Sequence, residues 1–282
     1  MAIINGKQIA ENILEKLKAQ PKPKNFLAAV LVDDDEASKS FIKQKEKAAK
    51  ELGIDFRLYE FPETVKNDEL REEVLKIANH RTCGGIIVQL PLPEHVKKHY
   101  ILNVIPREKD VDVLGERTLG AFYTGRNPVL PPAVGTLQDI LLVIGYTLST
   151  SKVAVVGLGF LVGKPISVWL QGKAKEIILF DEGSDFLLLK EANLVISGVG
   201  KAGIIKPDML NEEAVVIDFG YDNGKGDFDS SSLDPKPQTP RRASPSGFSL
   251  NPISYTPTPH GTGPILVAKL LENFYKLCEI AK

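Results

Sequence analysis

Apolar residues recur along this chain in two periods, and the two alternate. Ile9, Ile13, Leu14 and Leu17 carry helical spacing over residues 8–18, and Pro21 and Pro23 stop the helix. The run Phe26–Val32 has no polar break and reads as a buried strand, followed by an acidic turn from Asp33 to Glu36. A second helical pattern covers Ala37 to Leu52 and ends at Gly53. A short strand near Phe56 to Tyr59, a charged helix from Asn67 to Asn79 and a strand Gly85–Gln89 come next, the last broken by Pro91 and Pro93. Beyond residue 150 the alternation returns. Strands are expected at Lys152–Val156, Glu176–Phe180, Asn193–Ser197 and Ala214–Asp218, and a closing helix at Ile265–Ile280. Such alternation predicts α/β layers with mostly parallel strands, whose carboxyl ends are where ligands sit. The stretch Tyr221 to Pro252, rich in Ser, Pro, Gly and Asp, reads as a long loop.

Composition narrows the function classes. The 282 residues, at roughly 150 per domain, fit two domains. Lys+Arg at 35 against Asp+Glu at 36 leaves a net charge of -1, so no global positive field draws nucleic acid or an acidic membrane. The longest nearly uninterrupted apolar stretch, Ile140 to Leu148, falls well short of the ~20 residues of a spanning helix. The amino terminus lacks the pattern of a signal peptide. Two cysteines, Cys83 and Cys278, build neither a disulfide framework nor a four-thiolate zinc site, so a cytoplasmic location is expected. His95 and His99, four apart, read as a solvated helix face rather than a metal pair.

Two places carry candidate chemistry. Lys152–Val156 runs straight into Gly157-x-Gly159, with a third glycine at Gly163, an arrangement that lets backbone N–H groups meet a dinucleotide pyrophosphate or that simply turns a strand into a helix. Asp181, at the end of the next strand, lies near the ~20-residue offset of an acid that binds a ribose hydroxyl. With Glu182 beside it, this corner should repel a 2′-phosphate and favour NAD over NADP. On the helix from Ala37, Lys45 falls inside the apolar stripe, four residues from both Phe41 and Ala49, and Ser38 shares that face. Spacing alone leaves two outcomes: a stem covering apolar surface with its charge in water, or a desolvated base of lowered pKa. Gln89 ends an apolar strand at the mouth of a crevice or merely closes it. Asp110 and Asp112 read as a cap, a surface turn or a ligand-binding pair.

Taken in order, these pieces resemble the bifunctional methylenetetrahydrofolate dehydrogenase/methenyltetrahydrofolate cyclohydrolase family over nearly the whole chain. The resemblance rests on Ala37-Ser-x-x-Phe-Ile-x-x-Lys45, Gly84-Gly-Ile-Ile-Val-Gln-Leu-Pro-Leu-Pro93 and Lys109-Asp-Val-Asp112. The second half adds Val162-Gly-Lys-Pro165, Gly198-Val-Gly-Lys201, Val216-Ile-Asp-Phe-Gly220, Gly226-Asp-Phe-Asp229 and Thr256-Pro-Thr-Pro-His-Gly-Thr-Gly-Pro264. It implies a folate-binding catalytic domain over 1–134 joined by a returning helix at 265–282, and a Rossmann-like NAD(P)-binding domain over 135–264, with the folate in a cleft between them and the protein a homodimer. Lys45 would be the catalytic lysine, Gln89 the glutamine that tunes its protonation, and Asp112 the acid that holds the pterin. Ser38, Phe41, Leu90, Pro91, Pro259 and Gly263 would complete the substrate site. The cofactor would meet Gly157, Gly159, Val162, Gly163, Lys164 and Pro165 in the first loop. Asp181, Gly198, Val199 and Gly200 would meet it at the next two strand ends, and Asp218, Gly220 and Thr262 beyond them.

The sequence departs from the family at five places. Phe41 replaces a tyrosine, which keeps a ring for stacking and removes a hydroxyl. Leu130-Pro-Pro-Ala-Val-Gly135 replaces Pro-Cys-Thr-Pro-x-Gly. Leu158-Gly159 stands for Arg-Ser and Asp181 for His, both changes moving preference from NADP towards NAD. His260-Gly261 stands for two glycines. Because hydration depends on the lysine network and hydride transfer mainly on alignment, loss of the tyrosine hydroxyl threatens cyclohydrolase more. The rivals are therefore a monofunctional NAD-dependent dehydrogenase, or an inactive relative that binds nucleotide. An unrelated Rossmann dehydrogenase of small acids has no account of Val88-Gln-Leu-Pro-Leu-Pro93.

Overall fold

A computed structural model describes residues 2–32, 36–233 and 253–281. The acidic turn expected at Asp33–Asp35, and residues 234–252 of the expected loop, lie outside them. In chain order the elements are β1 (Ala2–Ile3), α1 (Gly6–Lys18), β2 (Phe26–Val32), α2 (Glu36–Glu51), β3 (Phe56–Phe61), α3 (Asn67–Asn79), β4 (Cys83–Val88), α4 (Lys98–Leu102) and α5 (Glu116–Tyr123). After them come α6 (Pro132–Val143), β5 (Lys152–Val156), α7 (Gly163–Leu170), β6 (Glu176–Phe180), β7 (Leu194–Ser197), β8 (Val215–Asp218), β9 (Ser254–Tyr255) and α8 (Thr262–Ile280).

The chain divides into two compact units. One comprises Asn12–Pro132 and Val267–Lys282, the other Met1–Glu11 and Ala133–Leu266. The first unit is built on a parallel sheet of order β3-β2-β4. Every residue of central β2 and of β4 is buried, which is why both read as unbroken apolar runs. Edge strand β3 is only partly covered and alternates accordingly. The glycines of β4 have a structural reason. A Cβ at Gly84 would lie 2.6 Å from Cys278 Sγ, and one at Gly85 would lie 2.9 Å from the Phe274 ring, so the pair lets α8 press against the strand. Asn273 of α8 donates to the carbonyls of Val111 and Leu130, both at 2.8 Å.

The second unit holds a six-stranded parallel sheet of order β1-β9-β8-β7-β5-β6. Its core gathers Phe180, Leu189, Ile205, Val216, Phe228 and Tyr255. The first eleven residues belong to this unit rather than to the first, because Ala2 and Ile3 pair with Ser254 and Tyr255. Strands β6 and β7 flank β5 on opposite sides. The strand order therefore reverses beside β5, and the carboxyl ends of β5 and β7 form the switch point at which open α/β sheets bind ligands. Among the described residues no helix is long and apolar enough to cross a membrane. The histidine pair differs from expectation: α4 begins after His95, and the His95 ring instead meets the Val65 carbonyl at 3.1 Å.

Candidate active site

Within the first unit, Lys45 reaches the residue that follows β4. On α2, Ile42 and Ala49 are fully buried, and Lys45 between them is half-buried. Its ammonium donates to Gln89 Oε1 at 2.9 Å. Gln89 is itself buried and follows β4 directly. Its backbone N–H bonds to the Val30 carbonyl at 2.9 Å, and its Nε2 donates to the Leu90 carbonyl at 2.7 Å. That second bond turns Oε1 towards the lysine. An amide oxygen accepts from an amine as well as from an ammonium, so the pair persists through deprotonation. Burial pushes the Lys45 pKa below the ordinary ammonium range, with the Asp112 charge opposing.

Asp110 and Asp112 divide the roles that their sequence leaves open. Asp110 is buried, and its carboxylate accepts the N–H groups of Leu114 at 3.0 Å and Gly115 at 2.8 Å, which fastens the turn that leads into α5. The turn is tight enough to put Val113 at φ 59°, an unfavourable region for a β-branched residue. Asp112, between them, is left to the electrostatic neighbourhood of Lys45. Burial, supported by the Asp110 charge and opposed by Lys45, lifts its pKa to about 6. A lysine whose pKa is lowered is thus coupled to a carboxylate whose pKa is raised. Ser38 is buried on the lysine helix, and Phe41 is 40% exposed there. Leu90 is half-buried and Pro91 exposed, next to Gln89.

The second unit carries the nucleotide candidates. Gly157 sits at φ 82°, where a Cβ would press to 2.9 Å on Val199 and 3.1 Å on the Gly198 carbonyl oxygen. A Cβ at Gly163 would strike the Gly157 carbonyl, so this glycine lets α7 start directly under the loop. Gly159 meets nothing closer than 3.9 Å, which leaves bare backbone. The start of α7 has no side-chain cap. Tight turn, open backbone and close helix packing are what a pyrophosphate cradle requires, so the residues present fit a dinucleotide. Gly157 N–H donates to the Phe180 carbonyl at 2.9 Å, which sets exposed Asp181 and Glu182 beside the loop at the end of β6.

The remaining expected contacts are placed variously. Lys164 and Val199 are exposed, Val162 is half-buried, Gly200 turns at φ 76°, and Pro165 is buried in the first turn of α7. Asp218 is buried, and its carboxylate accepts the N–H groups of Gly220 at 2.7 Å and Phe228 at 2.9 Å. Burial, with the Asp227 charge adding, raises its pKa to about 7. Thr262 donates to the Asp218 carbonyl at 2.9 Å, so the start of α8 is tied to the end of β8. Pro259 and Gly263, expected at the folate, belong to this second unit and are exposed. His260 takes φ 80°, a conformation natural to glycine. The sequence left open which role Asp110 takes, and it gave no reading of the network around Asp227. The signal for that network was the Gly226-Asp-Phe-Asp229 motif.

Known proteins resemble this chain over nearly its whole length. The family model for the tetrahydrofolate dehydrogenase/cyclohydrolase catalytic domain matches residues 4–112, and that for the NAD(P)-binding domain of the same family matches residues 131–282. The chain is 32% identical over 284 residues to the bifunctional protein FolD of Staphylococcus aureus (strain Newman), across 96% of this chain and 94% of that one. It is 31% identical over 293 residues to the bifunctional protein FolD of Mycoplasmopsis synoviae (strain 53), across 98% and 99%. Among solved structures, the bifunctional methylenetetrahydrofolate dehydrogenase/cyclohydrolase FolD of Campylobacter jejuni aligns with a TM-score of 0.88 at 28% identity, covering 100% of both chains.

Proposed function

Because the chain belongs to the tetrahydrofolate dehydrogenase/cyclohydrolase family, we propose that it oxidises 5,10-methylenetetrahydrofolate to the 5,10-methenyl compound with NAD(P) and hydrolyses that product to 10-formyltetrahydrofolate. The observation that carries the reading is the Lys45 to Gln89 hydrogen bond beside a carboxylate of raised pKa. Ionised Asp112 accepts the paired N–H donors on one edge of a pterin. The Phe41 ring stacks on the flat heterocycle. A bound nicotinamide supplies the hydride acceptor. Lys45 then takes a proton from the water that adds to the methenyl carbon, and its lowered pKa keeps a neutral fraction for that task. A permanently charged group would repel the methenyl cation instead. The test is turnover of methenyltetrahydrofolate supplied directly, without nucleotide: hydrolysis supports the second activity. Formation of the methenyl product from methylenetetrahydrofolate without hydrolysis would favour a monofunctional dehydrogenase, the reading to which Phe41 in place of tyrosine points.

For the cofactor, the exposed acids at the end of β6 support NAD over NADP. Asp181 accepts a ribose hydroxyl but repels a 2′-phosphate. NAD is expected to show the higher kcat/KM, and Asp181→Ser to narrow the ratio by about tenfold, the equivalent of about 1.4 kcal/mol. Side-by-side kinetics with both cofactors check this, and an NADP preference in the wild type would contradict it. The enzyme is proposed to act as a homodimer in the cytoplasm; sedimentation equilibrium tests the first part.

A further inference from the structure

We infer that Asp227 is the positioning residue that shapes the second nucleotide loop, at the end of β7. This rests on the reading that the loops after β5 and β7 hold the nicotinamide cofactor. Asp227 is fully buried, so it cannot itself touch a ligand. Three donors of the β7 loop converge on its carboxylate. Ser197 Oγ and Val199 N–H reach Oδ2 at 2.6 and 2.7 Å, and Lys201 N–H reaches Oδ1 at 2.8 Å. Gly200 stands between the two N–H groups at φ 76°, which lets both face one anion, in the manner of a backbone nest.

The backbone that carries this carboxylate is held as well. Ile205 N–H donates to the Asp227 carbonyl at 2.9 Å, Gly203 N–H to the Gly226 carbonyl at 3.0 Å, and Asp229 N–H to the Ile205 carbonyl at 2.9 Å. A Cβ at Gly220 would collide with the Asp227 carboxylate, so the turn after β8 closes over it. The loop so fixed is the one that Gly157 packs against through Val199 and the Gly198 carbonyl. Asp227 thereby sets the wall facing the glycine loop, at the switch point of the sheet.

Asp227→Asn keeps the volume but turns an NH2 towards one of the two N–H groups, leaving that donor unpaired. In the full-length protein, the Kd for NADH from a fluorescence titration is expected to rise at least tenfold. The Val199 and Lys201 amides should exchange with solvent at least tenfold faster. Cyclohydrolase turnover of supplied methenyltetrahydrofolate should stay within twofold, which separates loop positioning from general loss of fold. Ser197→Ala removes one donor alone and is expected to raise the Kd two- to fivefold, so a poorly folded Asp227→Asn leaves the test intact. An unchanged Kd in Ser197→Ala, or in a folded Asp227→Asn, would overturn the inference while leaving the cofactor reading in place. Failure of the wild type to bind NADH or NADPH would overturn both.

Discussion

Replacing Lys45 with methionine is expected to lower cyclohydrolase turnover by about 10²–10⁴-fold, the range for removing a positioned general base. Methionine matches the length and the apolar stem, so packing beside Ile42 and Ala49 is kept. What is lost is the proton acceptor and the bond to Gln89 Oε1. Hydride transfer needs alignment rather than proton handling, so dehydrogenase kcat should fall by less than about tenfold. Lys45→Arg sharpens the comparison. It restores a positive charge and a donor but cannot deprotonate near neutral pH, and it should be as inactive as the methionine variant. In the wild type, activity should rise with pH through the lowered pKa of Lys45, reaching its plateau below the ordinary ammonium range. One side effect has a definite sign. Lys45 opposes the upward shift of Asp112, so without it the carboxylate protonates at higher pH, and the KM for methylenetetrahydrofolate should climb earlier as pH falls.

Asp112→Asn should raise the KM for folate in both reactions by about 10²-fold, since breaking one partner of a buried charge-assisted pair costs about 2–5 kcal/mol. The same variant should melt at higher temperature at pH 7.5. In the folded chain the Asp112 pKa is raised from 3.8 to about 6, so the native state holds this proton more tightly than the unfolded state. Its contribution to stability is fully present below pH 3.8 and lost as pH rises through about 6. Above that, the wild type carries a buried carboxylate whose cost is about 1–3 kcal/mol, and asparagine removes it. Part of the gain is offset because Lys45 loses its counter-charge. Melting curves of both proteins at pH 7.5 and pH 4 read this directly. The expected difference favours the variant at pH 7.5 and shrinks at pH 4; an advantage that grew towards pH 4 would contradict the assignment. Loss of affinity with gain of stability is the signature of a group held for ligand binding rather than for folding.

The lysine was visible in the sequence because helical spacing put a charged residue inside an apolar stripe. Spacing could not choose between a snorkelling stem and a desolvated base, since that depends on what packs opposite α2, and only the β4 to Gln89 edge decides it. The same holds for Lys109-Asp-Val-Asp112. Two acids two apart look alike until the Leu114 and Gly115 N–H groups claim Asp110. Buried strands such as Phe26–Val32 were legible from their unbroken apolar character. The pairing of β1 with β9 was not, because two-residue strands have no pattern and their partners lie about 250 positions apart. Gly84 and Gly85 stood in a motif quoted for its chemistry, yet they serve the approach of Phe274 and Cys278. Asp227 left only a motif, because a carboxylate that binds its own backbone has no periodicity to betray it.

The most direct measurement follows the methenyl absorbance after mixing methylenetetrahydrofolate and cofactor with wild type and with Lys45→Met. The account predicts growth and prompt decay in the wild type, and growth without enzyme-driven decay in the variant. Accumulation without decay in the wild type, or equal decay in both proteins, would contradict it.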